Sequence, residues 1–320
     1  MQPQPIIIDC DPGQDDAIAL LMAFAAQEEL RILGVTTVHG NVELHWTQRN
    51  ARLICDLAEA DDIRVFAGCS RPMVVAPRTG SDSHGNTGLD GVDWPEPRHP
   101  LEREHAVDFI VSTLLAAQDN SVIVVALGPL TNIALAIIKD PRILAKIKEL
   151  NVMGAWRLGA PKPTPAADFN TLIDPHAAHV VYGCGRPIVL VNMDATAQAL
   201  TTRSRMAAIT GIGPRIGQRA HDLIAFYDGR RARKYKEGAP GGALHDPCNI
   251  AYLLKPSLFQ TRHVNVEVEI HSALTMGMTV VDFWQITGRE PNAHYVHTVD
   301  SDGFFELLIE RLARIERRVR

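Results

Sequence analysis

Short, uninterrupted apolar runs alternate along this chain with longer stretches in which apolar residues recur every three to four positions. Ile6-Ile7-Ile8 and residues 32–38, 63–67, 121–127, 150–153 and 188–192 read as strands. Helices are predicted over residues 15–30, 48–60 and 105–117 and, after a Gly-Pro turn, 130–138. Near the end, Phe305, Leu308, Leu312 and Ile315 fall at helical spacing beside the basic stretch 311–320, which predicts an amphipathic helix docked on the body. Continuous apolar strands separated by helices imply an α/β fold: an open, mostly parallel sheet covered by helices on both faces. No linker or charge run divides the chain, so one domain is expected over residues 1–320.

Three long segments rich in Gly, Pro and polar residues interrupt the pattern, at 78–100, 157–170 and 228–244. Structureless stretches of this length in a compact domain are usually functional or disordered. In open α/β sheets ligands bind beyond the carboxyl ends of the strands, so candidate chemistry is sought there.

The first strand ends in IIIDCDPGQDDA, placing Asp9, Asp11, Asp15 and Asp16 within eight residues at a strand-to-helix turn. Acids in a first helical turn suit the helix dipole, which could account for Asp15 and Asp16. Asp9 and Asp11, at the end of a buried strand, need another reason. Crowded, partly buried carboxylates repel one another unless a cation sits among them, and all-oxygen ligation points to Ca2+ or Mg2+. A DxD strand end also opens the haloacid-dehalogenase-type phosphatases. Those carry Thr or Val two positions after the second Asp, where this chain has Gly13, and their scheme has no use for Asp15-Asp16. Far along the chain, His245-Asp246-Pro247 precedes an apolar helix. Asp246 could complete a metal shell with His245 beside it as a proton donor, or could simply cap that helix.

Composition narrows the field. The 320 residues are 46% hydrophobic and 22% charged, with a net charge of -5. No clustered basic face suggests nucleic acid as a partner. The five cysteines include no CxxC pair, so neither a disulfide framework nor a zinc site is expected. The start, MQPQPIIIDCDPG, lacks the basic and apolar regions of a signal peptide, and no run approaches about 18 apolar residues. The expectation is a cytoplasmic protein without a membrane span.

Together these segments resemble the nucleoside hydrolases of the inosine–uridine preferring type. IIIDCDPGQDDAIALL is similar to the N-terminal signature of that family. VTTVHGNVEL, SHGNTGLDG, VALGPLTNIALAI, TPAADFNTLIDPHAA and LHDPCNIAYLLKPSLF follow in the family's order. The resemblance implies a Rossmann-like α/β fold that hydrolyses the N-glycosidic bond of ribonucleosides to base and ribose. It implies one Ca2+ held by the side chains of Asp11, Asp16 and Asp246 and the carbonyl of Leu127. Asp15, Asn41 and Asn170 would hold the ribose; without the resemblance Asn41 reads as a turn residue and Asn170 as a loop cap. The implied mechanism is attack by a calcium-bound water with Asp11 as general base and His245 as leaving-group acid. His84 is a further contact on the base side. A homo-oligomer, dimer or tetramer, is also expected.

Two departures from the family pattern bear on substrate. Lys162 and Asp168 stand where an Asn and a Glu would grip the 5′-hydroxyl. The shorter Asp retracts its carboxylate, and Lys162 either pairs with it, faces solvent, or opens the site to a 5′-modified sugar. Phe226-Tyr227 is present, but Arg231 falls where a second Tyr is expected, with Tyr235 one turn further on. Tyr227 and Arg231 are therefore candidate substrate contacts. The competing readings are a Ca2+-dependent nucleoside binder without turnover and the phosphatase.

Overall fold

Alternate residues of the first strand serve opposite layers. Ile6, Ile8 and Cys10 pack into one apolar cluster and Ile7 into the other. The molecule is known from a computed structural model that describes residues 2–157, 164–235 and 241–319. Its strands are β1 (Gln4–Cys10), β2 (Leu30–Thr37), β3 (Val65–Ala67), β4 (Val122–Ala126), β5 (Ile147–Met153), β6 (Ile188–Val191), β7 (Phe259–Val268), β8 (Thr279–Asp282) and β9 (Ala293–Val299). They form one sheet in the order β3-β2-β1-β4-β5-β6-β9-β7-β8. Seven neighbouring strands, β3 through β9 in that order, run parallel, and β7 pairs antiparallel with both β9 and β8.

The helices are α1 (Gln14–Phe24), α2 (Leu44–Ala58), α3 (Ser81–His84), α4 (Ala106–Ala116), α5 (Thr131–Lys139), α6 (Phe169–Ile173), α7 (Pro175–Tyr182), α8 (Met193–Thr196), α9 (Arg203–Thr210), α10 (Ile216–Tyr235), α11 (Pro247–Leu254) and α12 (Ser301–Arg318). Apolar residues of α1, α2, α10, α11 and α12 fill one layer; those of α4, α5 and α7 fill the other. The open, mostly parallel sheet with two helical faces is as the apolar pattern predicts. The C-terminal helix docks as expected, burying Phe305, Leu308, Leu312 and Ile315, and Arg311 pairs with Glu29 at 2.7 Å. Among the described residues no helix is long and apolar enough to cross a membrane.

Some boundaries differ from the sequence reading. The first helix stops at Phe24 rather than at residue 30, because Leu30 is taken by β2, where it pairs with Gln4. The second helix starts four residues early, at Leu44. The segment 228–244, read as a loop, is helical as far as Tyr235. Leu223, Ile224, Tyr227 and Arg231 keep one face of α10 buried across this stretch, and its Arg, Ala and Lys residues are good helix formers. The sequence reading places no strand at β7, β8 or β9, of which only β7 runs against the rest of the sheet. β7 alternates buried and exposed residues only in part, since it lies near the sheet edge.

After β3 the chain returns to the opposite side of β1 to form β4. The carboxyl ends of β1 and β4 therefore splay apart at a topological switch point, the usual place for a ligand in this architecture. Asp11 follows the end of β1 and Leu127 the end of β4.

Candidate active site

A cavity of about 330 Å³ opens above these strand ends, within the usual size of small-molecule sites. Asp15, Asn41, His84, Leu127, Asp168, Asn170, Tyr227, Arg231, His245 and Asp246 all line it. Asp11 and Asp16 are buried side chains that are not part of that lining. Lys162 lies outside the described residues.

The acidic cluster is built by backbone. Asp16 accepts from the amides of Asp11 (3.2 Å) and Gly13 (3.0 Å), which closes the N-terminus of α1. The capping role of a first-turn acid is thus present, in a side chain that is fully buried. Asp11 accepts from the Asn41 amide at 2.6 Å. The Asn41 side chain donates to the Asp11 carbonyl (3.1 Å) and to Asp16 (3.0 Å), so Asn41 braces both acids while also lining the cavity. Gly40 and Gly128 press against Asp11 so closely that a Cβ at either position would overlap its carboxylate. Asp246 occupies the N-cap position of α11 but makes no capping hydrogen bond. Its carboxyl turns to Asp16 instead, and the two share a hydrogen bond.

Oxygens of Asp15, Asp16 and Asp246 lie within 4.8 Å of one another. Burial pushes every acid in the cluster upward, and repulsion from neighbouring carboxylates adds to it at Asp11, Asp15 and Asp246. Asp11 is raised well above the usual carboxylate range by burial and then by Asp16, and Asp246 by burial and then by Asp15. Asp15 is raised to about 7, again mainly by burial. The Asp11 and Asp15 Oδ1 atoms are buried without a hydrogen-bond partner. A buried all-oxygen set with unsatisfied carboxylate oxygens suits a hard divalent cation. The Leu127 carbonyl faces the cavity too, and accepts from Asn170 at 2.7 Å.

Asp9 stands apart from this group. It points to the α5 layer, accepting from Thr36 (2.5 Å) and Asn132 (2.8 Å), and burial raises it to about 7. Asp168 is the N-cap of α6, accepting from the Thr171 amide (3.0 Å) and the Ala155 amide (3.1 Å). Both of its oxygens are thus engaged by backbone. Asn170 caps nothing; it ties the ends of β4 and β5 together through Leu127 and Met153.

Another part of the lining is aromatic and cationic. The His84 ring lies 4.9 Å from that of Tyr227 and its Nδ1 is held by Gln14 at 2.9 Å. Arg231, one turn beyond Tyr227 on α10, donates to the Tyr227 hydroxyl (3.1 Å) and to His245 Nε2 (2.6 Å). His245 Nδ1 meets the Thr196 hydroxyl at 2.7 Å. Burial and then the Arg231 charge hold His245 well below its ordinary pKa.

Comparison with known proteins decides what this arrangement belongs to. The profile described as "Inosine-uridine preferring nucleoside hydrolase" matches residues 6–306. The chain belongs to the inosine–uridine preferring nucleoside hydrolase family. It is 37% identical over 316 residues to the inosine–uridine preferring nucleoside hydrolase of Leishmania major, covering 98% of each chain. It is 40% identical over 315 residues to a pyrimidine-specific ribonucleoside hydrolase of an Enterobacter species, covering 98% of this chain and 99% of the relative. A purine-preferring ribonucleoside hydrolase from Gardnerella vaginalis superposes with a TM-score of 0.90 at 26% identity, over 98% of this chain and all of that one. The enzyme class of the family, N-glycosidase, is the one the sequence implied.

Within this nucleoside hydrolase, sequence reasoning missed Met153 and Met193, which line the cavity just at or after the ends of β5 and β6. The strand-end rule would have found both. It also missed Arg78, Thr79 and Ser83, although their loop was singled out by length, and Thr196, which no local signal marks.

Proposed function

We propose that this enzyme hydrolyses the N-glycosidic bond of ordinary ribonucleosides, with Ca2+ as the resident metal. The observation that carries the reading is the buried cluster of acids with unsatisfied carboxylate oxygens beside a nucleoside-sized cavity, in a chain of this family. Asp11, Asp16 and Asp246 and the Leu127 carbonyl would hold the ion. Three carboxylates and a carbonyl leave room in the large coordination shell of Ca2+ for further oxygens, which favours it over Mg2+. When bound, the ion supplies charge that acidifies water and anchors sugar hydroxyls.

The protein's own groups do the rest. Asp11, braced by Asn41, takes a proton from the attacking water. Asp15 and Asn170 hold the ribose hydroxyls. As the base departs, positive charge gathers on the sugar, and the surrounding carboxylates stabilise it. The base leaves toward the wall of His84, Tyr227, Arg231 and His245. Each Asp168 oxygen accepts one backbone hydrogen bond and keeps a further lone pair, so this residue of the cavity lining can still meet a 5′-hydroxyl, and an unmodified ribonucleoside is the substrate proposed. A panel of purine and pyrimidine ribonucleosides should release free ribose and base, while phosphomonoesters release no phosphate. Binding without ribose release from any nucleoside would instead support the non-catalytic binder.

The reading includes a cytoplasmic homo-oligomer, a dimer or tetramer. Exposed apolar side chains at and beside the edge strand β8, Val280, Trp284 and Ile286, support self-association. Light scattering should give a mass at least twice that of the 35.1 kDa chain; a monomer at micromolar concentration would refute it.

A further inference from the structure

We propose that Gln14 is a positioning residue for His84: it fixes the tautomer of the ring, so that the neutral imidazole presents an accepting nitrogen, Nε2, to the nucleoside. The inference rests on the hydrolase reading above and adds to it the residue that sets the base-side contact.

Gln14 lies inside the acid turn, between Gly13 and Asp15, and is fully buried. It is not part of the cavity lining, whereas His84 is. Any influence of Gln14 on substrate must therefore pass through a neighbour. The partners of its amide leave one orientation. Gln14 Nε2 lies 3.0 Å from the His84 carbonyl oxygen and 3.3 Å from that of Asp90. Carbonyl oxygens only accept, so the amide nitrogen faces them and donates. Gln14 Oε1 then faces His84 Nδ1 at 2.9 Å. An amide oxygen also only accepts, so Nδ1 carries the hydrogen and donates. With a proton on Nδ1, the neutral ring keeps its lone pair on Nε2.

The ring is fixed in place as well as in tautomer. A Cβ at Gly13 would fall 2.3 Å from His84 Nδ1 and 2.7 Å from Cε1, so this edge of the ring packs on the backbone of the acid turn. Tyr227 lies against the ring with centres 4.9 Å apart. Asn50 ties the same loop to the same turn, donating to the carbonyls of Pro12 (2.9 Å) and Thr87 (2.7 Å). Asp90 closes the loop by accepting from the Asn86 amide at 2.8 Å. The loop that carries His84 is thus held in register with the turn that carries Asp11, Asp15 and Asp16. One turn sets both ends of the site: its acids would meet metal and ribose, and Gln14 sets the polar atom that meets the base. In a buried site a fixed acceptor favours a donor placed opposite it and disfavours a second lone pair, so the tautomer contributes to substrate choice.

Long-range proton–nitrogen NMR on the full-length, Ca2+-loaded enzyme carrying 15N-histidine tests the proposal. At a pH at which the ring is neutral, the His84 signal, recognised by its loss in His84→Ala, should show a protonated Nδ1 and an unprotonated Nε2. In Gln14→Met, which keeps an unbranched side chain but loses the accepting oxygen, the signal should move toward the Nε2–H form. The same substitution should lower kcat/KM for uridine and inosine about ten-fold, mainly by raising KM, the usual scale for one lost hydrogen bond. In the His84→Ala background it should cost less than about two-fold, because the residue it acts through is gone. A wild-type His84 protonated on Nε2, a signal unmoved by Gln14→Met, or the same kinetic loss with and without His84 would overturn the proposal and leave the hydrolase reading standing. The wild-type spectrum can refute it without any variant, so the test survives a Gln14→Met enzyme that does not fold. A wild type that releases no ribose would overturn the hydrolase reading, and the spectra would still decide the tautomer.

Discussion

Removing the metal is expected to abolish nucleoside turnover and to lower the melting temperature by on the order of 10 °C. The protein without a cation must keep four buried carboxyl groups, Asp11, Asp15, Asp16 and Asp246, in mutual repulsion. A ligand that binds only the native state at a thousand-fold excess over its Kd stabilises that state by about 4 kcal/mol. The pH dependence carries its own signature. In the metal-free protein Asp15 titrates near 7 against an ordinary 3.8. Between those values the native state binds protons that the unfolded chain has released. Stability is therefore greatest below about pH 4 as far as this group is concerned, and falls as pH rises toward 7, by about 1.4 kcal/mol per unit of mismatch. Adding Ca2+ should remove that decline, because the ion replaces the protons. Calorimetry with and without a chelator, at several pH values between 4 and 8, reads all of this. A chelated enzyme with unchanged turnover and melting temperature would eliminate the metal site.

Replacing Asp11 by Asn should lower kcat about 10²- to 10⁴-fold, the usual worth of a positioned general base. The amide matches the carboxylate in shape and its oxygen can still accept from the Asn41 amide, so the fold is preserved. Two opposite effects on stability accompany the loss. Without metal the variant should melt higher than the wild type, since one charge leaves a crowded buried site. With Ca2+ it should gain less than the wild type does, having lost a ligand. Turnover within about ten-fold of wild type would remove Asp11 from the water-activating role, whatever happens to the melting curve.

Much of the candidate site was legible because its residues come in local patterns. Asp11, Asp15 and Asp16 share one turn, and His245-Asp246 is a contiguous pair. Their joining into one cavity followed from the family resemblance, and the topology agrees: the switch point puts the end of β1 beside the end of β4. The wall contacts were less legible. The four-residue spacing of Tyr227 and Arg231 predicts a shared helix face, yet the segment after 228 reads as loop by composition. Only its packing against the body makes it the last turns of α10.

The sequence by itself determined the layered α/β architecture, since apolar runs of strand length between helices can be buried only in a sheet covered on both faces. It also determined the acid-rich turn, the apolar stripe of the C-terminal helix and the family. Tertiary structure alone decided which partners each polar group has. Asp9 turned away to Thr36 and Asn132, Asp168 turned each oxygen to a backbone amide, and Asp246 left its helix uncapped to meet Asp16. The coupling of Arg231 to His245 belongs to the same class. The two lie 14 positions apart, on a helix and in a loop, and their hydrogen bond exists only because α10 and the strand ends close around one cavity. Local pattern reports which face a residue takes. The direction of a hydrogen bond across a cavity depends on the relative placement of elements, and burial then makes that choice of partner binding on the chemistry.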